Sequence, residues 1–157
     1  MADRVLIRRG SPDDAPALRV LAEAVVPATY DPIDPDFAVH TLETWWDVDR
    51  MRVSLAQLWH GVAELDDRIV GVANLGRSDD RWVMWKLYVH PDAQGRSIGR
   101  RLLEAALEQV PAGEALWLEH VDGNDRAHAF YKALGFETSH REPQERFPDL
   151  IWMKRDH

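Results

Sequence analysis

A chain of 157 residues, 45% hydrophobic and 29% charged, is long enough to close one ordinary core, so residues 1–157 are expected to form a single domain. The absence of cysteine excludes a disulfide framework, a thiol nucleophile and a zinc–thiolate site. The net charge of −8 argues against a broad nucleic-acid surface and suits a cationic acceptor, and no apolar run nears the ~18–20 residues that span a bilayer.

Residues 5–9 read as a first strand. Ser11 then caps a helix, with Pro12 at its first position and Asp13 and Asp14 in the first turn. Leu18, Leu21, Ala22 and Val25 give that helix a buried stripe. Pro27, Pro32 and Pro35 are expected to break the chain into a loop carrying Tyr30. Helical character resumes over 37–46 and ends on Trp45 and Trp46, and residues 48–58 form a short segment of ambiguous type. Two strands at about 61–65 and 69–75 meet at Asp66-Asp67, a hairpin-type turn, and residues 76–80 make a second turn.

Residues 82–89, rich in aromatic and β-branched side chains, form one apolar strand that Pro91 ends. Leu102, Leu103, Ala106, Leu107 and Val110 recur at helical spacing before Pro111-Ala112-Gly113 stops the helix. Residues 116–121 are the next strand. Strand, helix and strand in that order pair their strands in parallel. After the Asp122-Gly123 turn, Asn124 or Asp125 caps another helix, with Ala127, Phe130, Tyr131 and Leu134 on one face and Gly135 as a left-handed end. Two closing strands, 136–140 and 150–154, flank a loop at 142–148. The seven histidines form no metal spacing.

The loop at 94–99 is the chemical centre of this order. Gln94, Gly95, Arg96, Ser97, Ile98 and Gly99 leave several backbone N–H groups without a partner in the helix that follows. Those groups, with the positive end of the helix dipole, form a seat for phosphate oxygens. Arg96, Arg100 and Arg101 add charge beside it. On the loop alone a structural turn is the plainer reading. Gly95 and Gly99 do not meet the dinucleotide spacing Gly-x-Gly-x-x-Gly, and no Gly-Lys-Ser/Thr triplet is present.

The same stretch, led in by Leu-Tyr-Val-His-Pro-Asp, resembles the acetyl-CoA signature of the GNAT superfamily of N-acetyltransferases, Gln/Arg-x-x-Gly-x-Gly/Ala. The pattern is met at Gln94, Ile98 and Gly99, and Ser97 stands where the family usually has glycine. Asn124-Asp-Arg-Ala-His-Ala-Phe-Tyr-Lys-Ala-Leu-Gly-Phe136 is similar to that family's Asn-x-x-Ala-x-x-Phe/Leu-Tyr-x-x-x-Gly-Phe motif. The resemblance implies an α/β fold with a mixed, mostly antiparallel sheet flanked by helices. Its fourth and fifth strands would splay around the pantetheine arm of acetyl-CoA, the acetyl donor.

Carried over residue by residue, the resemblance makes Leu87, Tyr88 and Val89 backbone partners of pantetheine and the acetyl carbonyl. Gln94 and the run Gly95, Arg96, Ser97, Ile98, Gly99 and Arg100 would hold the pyrophosphate, and the Asn124 side chain would also touch the cofactor. Tyr131 matches the tyrosine proposed to protonate the departing thiolate. Glu119 matches a glutamate that acts as base through water in the branch acetylating N-terminal amines of ribosomal proteins. His120 has the more suitable ordinary pKa, ~6.5, but strand alternation puts it on the opposite face from Glu119. Tyr30, Trp45, Trp46 and the 142–148 loop are expected to wall the acceptor pocket.

The expected activity is direct attack of a primary amine, on a small molecule or a peptide, with no acyl-enzyme. A catalytically silent acyl-CoA-binding or regulatory domain is the competing reading. An acetyltransferase acting on aminoacyl-tRNA fits the acidic charge poorly. With no apolar signal region at its start, the chain is expected in the cytoplasm, without nucleic-acid or membrane partners, and homodimer formation stays open.

Overall fold

The computed structural model describes residues 4–157, so the first three residues of the expected domain lie outside the described part; the described residues alternate eight strands with five α-helices. In chain order these are β1 (Val5–Arg9), α1 (Ala15–Tyr30), α2 (Pro35–Trp45), α3 (Val48–Gln57), β2 (Trp59–Leu65), β3 (Arg68–Ser78) and β4 (Arg81–Met84). They continue with β5 (Leu87–Val89), α4 (Ile98–Glu108), β6 (Ala115–Val121), α5 (Asp125–Ala133), β7 (Glu137–Glu142) and β8 (Leu150–Asp156). The strands form one sheet in the order β1-β2-β3-β4-β6-β8-β7, with β5 beside β3. All pairings are antiparallel except β4 with β6, which is the expected parallel pair.

Alternation along the strands divides the apolar side chains between two cores. Ala63, Ala73, Leu116, Leu118 and Met153 pack with α4 and α5 on one face. Val62, Val72 and Val121 pack with α1, Trp46, Met51 and Leu55 on the other. Gly71 of β3 lets α4 come close: a Cβ there would lie 3.0 Å from Leu102 Cδ1, 3.2 Å from Tyr88 O and 3.3 Å from Ile98 Cγ2.

Three expectations are corrected and one open segment is settled. Pro27 does not end α1: the helix runs through it to Tyr30, so Tyr30 sits on the last helical turn rather than in a loop. The missing N–H costs about 3 kcal/mol in a helix interior, and burial of Val25, Val26 and Tyr30 around it supplies apolar contact that offsets the loss. Residues 76–78 belong to β3, and the second turn is only Asp79-Asp80. Both are left-handed (φ 50° and 62°), as in the Asp66-Asp67 turn (53° and 61°), so two acidic pairs make the same tight hairpin geometry. The ambiguous segment is α3, capped by Asp47, whose carboxylate accepts from Arg50 N at 3.2 Å.

The last correction shapes the site. The single apolar strand over 82–89 is two strands, because Trp85 and Lys86 bulge out of the ladder. Buried Asn74 pins that bulge: its Oδ1 accepts from Trp85 N at 3.0 Å and Lys86 N at 2.7 Å. Its own N–H donates to Lys86 O at 3.1 Å. Before the bulge, β4 pairs with β6 as far as Met84 opposite Leu118. After it, β5 pairs only with β3, and Glu119, His120 and Val121 pair only with β8. The sheet opens there.

Candidate active site

The opening between β5 and the end of β6 is the middle of a cleft of about 1650 Å³. Bonds from Asn74 N to Lys86 O and from His90 N to Val70 O mark residues 86 and 90 as bonded to β3. By antiparallel alternation Tyr88 is bonded there too, while the backbone groups of Leu87 and Val89 point into the opening. Tyr88 meets the cleft through its phenol rather than its backbone. This edge offers donors and acceptors at β-ladder spacing to an extended, amide-bearing chain such as pantetheine.

At one end of the cleft the chain passes through Gln94, Gly95, Ser97, Ile98, Gly99 and Arg100, all of which line it. The first bond that turns back into the loop is Arg101 N to Ser97 O, 3.0 Å, so the amides at the start of α4 have no helical acceptor. Gly95 is left-handed at φ 82°, with nothing within 4 Å of where a Cβ would be. Ser97, the N-cap of α4, is also left-handed (φ 61°, ψ 20°) and makes no side-chain cap bond. A helix N-terminus with free amides and room in front of it fits a pyrophosphate. The arginines divide. Arg100 bonds Glu104 at 3.0 Å, one turn along α4. Arg101 turns away to Val5 O at 3.2 Å and does not line this cleft.

Asn124 caps α5 by accepting from Ala127 N at 3.3 Å, which fixes its side chain at the cleft wall. Tyr131, on the buried face of α5, lines the same cleft, with its ring 5.4 Å from Phe130 and 5.8 Å from Phe136. Burial, with the neighbouring Tyr30, raises its hydroxyl pKa well above the ordinary value, so it stays a proton donor at neutral pH. The Tyr30 and Tyr88 hydroxyls share a hydrogen bond of 2.7 Å. Burial raises both, and the charge of Glu119 raises them further.

Glu119 stands on β6 opposite Trp152 of β8, where the opening begins. Burial, helped by Glu142, pushes its carboxyl up to about 7. A base poised there is deprotonated in half the molecules at neutral pH and still takes a proton readily. His120 points to the other face as alternation requires. Its Nδ1 lies 3.1 Å from Val121 O and its Nε2 2.9 Å from His128 Nδ1, and burial lowers its pKa. Glu119 shares an electrostatic neighbourhood with Tyr30 and Tyr88, while the His120 ring, which also lines the cleft, stacks on Tyr131 at 6.5 Å between centroids.

The far end of the cleft is built by α1, α2, α3 and the bulge. Trp46 is buried there, 5.5 Å from the Tyr88 ring, whereas Trp45 is exposed at the rim, and both line the cleft. Phe147 closes this end against Phe37 (5.3 Å) and His40 (4.9 Å). Glu142 belongs to β7 and β8 starts at Leu150, so the connecting loop is displaced by one residue from the expected 142–148 and keeps its length.

Sequence reasoning passed over Lys86, whose Nζ donates to Trp45 O at 2.9 Å and lies 4.1 Å from the Trp46 ring centroid. Burial pulls it down to about 7. A lone charge inside an otherwise apolar strand was the available signal. Asn74 and Gly71 were missed as well, since their roles depend on pairing across the sheet.

A split sheet, an open strand edge and free amides at a helix start define a protein that binds an acyl-CoA. The chain matches the acetyltransferase (GNAT) family over residues 22–136 and belongs to it. It is therefore an acetyl-CoA-dependent N-acetyltransferase, with acetyl-CoA as acetyl donor. It is 29% identical over 137 residues to the peptidyl-lysine N-acetyltransferase YjaB of Escherichia coli, covering 87% of this chain and 85% of that one. The solution structure of that protein's apo form superimposes with a TM-score of 0.69 at 26% identity, over 96% of this chain and 97% of the other. The fold is also that of the PaiA N-acetyltransferase of Thermoplasma acidophilum, solved with coenzyme A: TM-score 0.83, 18% identity, 98% and 99% coverage. Among the described residues, no group of acidic or histidine side chains could hold a metal, and no helix is long and apolar enough to cross a membrane.

Proposed function

We propose that the chain transfers the acetyl group by direct attack of a primary amine on the thioester within a ternary complex. The observation that carries this reading is that one cleft contains the open edge of β5, the free amides of α4, the Glu119 carboxyl and the Tyr131 phenol. The β5 backbone at Leu87 and Val89 holds the pantetheine arm. Gln94, Gly95, Arg96, Ser97, Ile98, Gly99 and Arg100 hold the pyrophosphate, with Asn124 at the side.

In the reaction the amine lone pair forms the N–C bond while the C–S bond breaks and its electron pair leaves on sulfur. Tyr131 gives that sulfur its proton. The proton lost by the amine passes to Glu119 through water. Most of the rate comes from holding the two reactants in line, since orientation of this kind supplies about 7–11 kcal/mol in favourable cases. Tyr30, Trp45, Trp46 and Gln144 face the acceptor. The name borne by the Escherichia coli relative supports an amine acceptor. The reading places the activity in a single domain acting in the cytoplasm.

Initial rates measured with acetyl-CoA and an amine varied together test the mechanism. Intersecting reciprocal plots, with no acetyl retained on the protein after incubation with acetyl-CoA alone, are the expected result. Parallel plots with a covalently acetylated intermediate would overturn direct attack.

A further inference from the structure

Beyond Glu119 and Tyr131, the acceptor end of the cleft holds a cation that acetyl transfer does not require. Lys86 leaves the sheet at the bulge and lines the cleft wall. Its Nζ donates to Trp45 O at 2.9 Å and to Met51 Sδ at 3.1 Å, above the Trp46 ring. Among the described residues no carboxylate pairs with it, although acidic residues outnumber basic ones 27 to 19 in the chain. Asp49, at the same rim, is taken up by Arg52 at 3.3 Å. A carbonyl, a thioether and an indole face are weak substitutes for a counter-ion.

The surrounding wall is short of acceptors in a second way. Thr41 and Trp46 both line the cleft and are at least nine-tenths buried. Thr41 Oγ1 and Trp46 Nε1 are closed off from water and have no hydrogen-bond partner. Native structures leave few buried polar atoms in that state. At the mouth, Trp45, Val53 and Trp85 expose apolar surface to the same cleft. What this wall presents to the cleft is therefore a cation without a carboxylate partner and an apolar rim.

We propose that this end of the cleft seats a carboxylate carried by the acceptor, with Lys86 as its counter-ion, so that the acceptor is a free amino acid with an apolar side chain. The carboxylate supplies the counter-ion that Lys86 lacks, the side chain lies against Trp45 and Trp85 at the mouth, and the amine is left in the cleft that Glu119 also lines. An acceptor with a second ammonium group in this position would meet Lys86 as a like charge. The inference rests on the acetyl-transfer reading above.

The test compares L-phenylalanine with L-phenylalaninamide as acceptors in a thiol-release assay, with rates expressed per neutral amine. A second arm titrates N-acetyl-L-phenylalanine and its amide into the CoA-loaded protein by calorimetry. A charged hydrogen bond of this kind predicts a preference for the acid of roughly tenfold or more in kcat/KM and in affinity. In Lys86→Met the preference collapses toward one, chiefly through KM, while Lys86→Arg, which keeps the charge, retains most of it. Equal use of acid and amide by the native protein, or a preference that survives Lys86→Met, overturns the proposal and leaves acetyl transfer standing. Absence of thiol release from every amine overturns the parent reading instead, and the calorimetric arm then decides the carboxylate seat by itself.

Discussion

Ser97→Gly isolates the one position where this chain departs from its family's cofactor loop. Ser97 caps α4 at φ 61°, ψ 20°, a region that costs a residue with a Cβ roughly 1–2 kcal/mol. Glycine avoids that cost but brings about 0.5–1 kcal/mol of extra freedom in the unfolded chain. No cap hydrogen bond from the serine is lost. The balance is a gain of about 0.5–1 kcal/mol, or about 1–4 °C in Tm for a chain of this size. Thermal unfolding without ligand reads the stability, and calorimetry with CoA reads the seat. The expected variant is more stable and binds CoA at least as tightly, while Ser97→Ala, which keeps the Cβ, shows no gain. A lower Tm for Ser97→Gly would refute the strain argument. A several-fold weaker CoA affinity would show instead that the serine hydroxyl holds a phosphate.

Three further perturbations reach other parts of the account. Glu119→Gln should lower kcat/KM by about 10²–10⁴-fold and remove the rise in rate centred near pH 7, leaving only the limb that belongs to the amine itself; an unchanged pH profile would exclude Glu119 as base. Gly71→Ala places a methyl against Leu102 and the Tyr88 carbonyl. It should cost about 1–3 kcal/mol by overpacking and weaken CoA binding through the displaced start of α4, as denaturant titration and calorimetry would show. For Lys86 the folded-state pKa, about 7, lies below its ordinary 10.5. The unfolded chain therefore binds more protons between those values, and native stability should rise with pH across that window. Lys86→Met should flatten the rise and be relatively most stable near pH 6; an equal slope in both proteins would mean that Lys86 titrates normally.

What the sequence disclosed follows from how local each signal is. The helix faces, the Asn124 cap and the left-handed Gly135 are set by residues a few positions apart, and they were legible. So were the parallel pairing of β4 with β6 and the loop before α4, because strand–helix–strand order and free amides are properties of a short stretch. Pro27 was misjudged because its local penalty is outweighed by contacts made with other elements. The division of residues 82–89 was invisible for a related reason. Val83, Leu87 and Val89 all favour a strand, and what interrupts them is Asn74, ten or more residues earlier and across the sheet. Lys86 owes its surroundings to that same bulge and to helices α2 and α3, so its environment could be read only once the chain was folded.

The central claim is that this cleft sets Tyr131 against the leaving sulfur of acetyl-CoA while an amine attacks. Thiol release with a panel of primary amines, run on the native protein and on Tyr131→Phe beside calorimetry for CoA, addresses it most directly. The account predicts turnover with at least one amine class, a loss of roughly 10²-fold or more in kcat for the phenylalanine variant, and an unchanged CoA affinity. Tight CoA binding by both proteins with no thiol released from any amine would contradict it, and would point to a domain that senses acyl-CoA without consuming it.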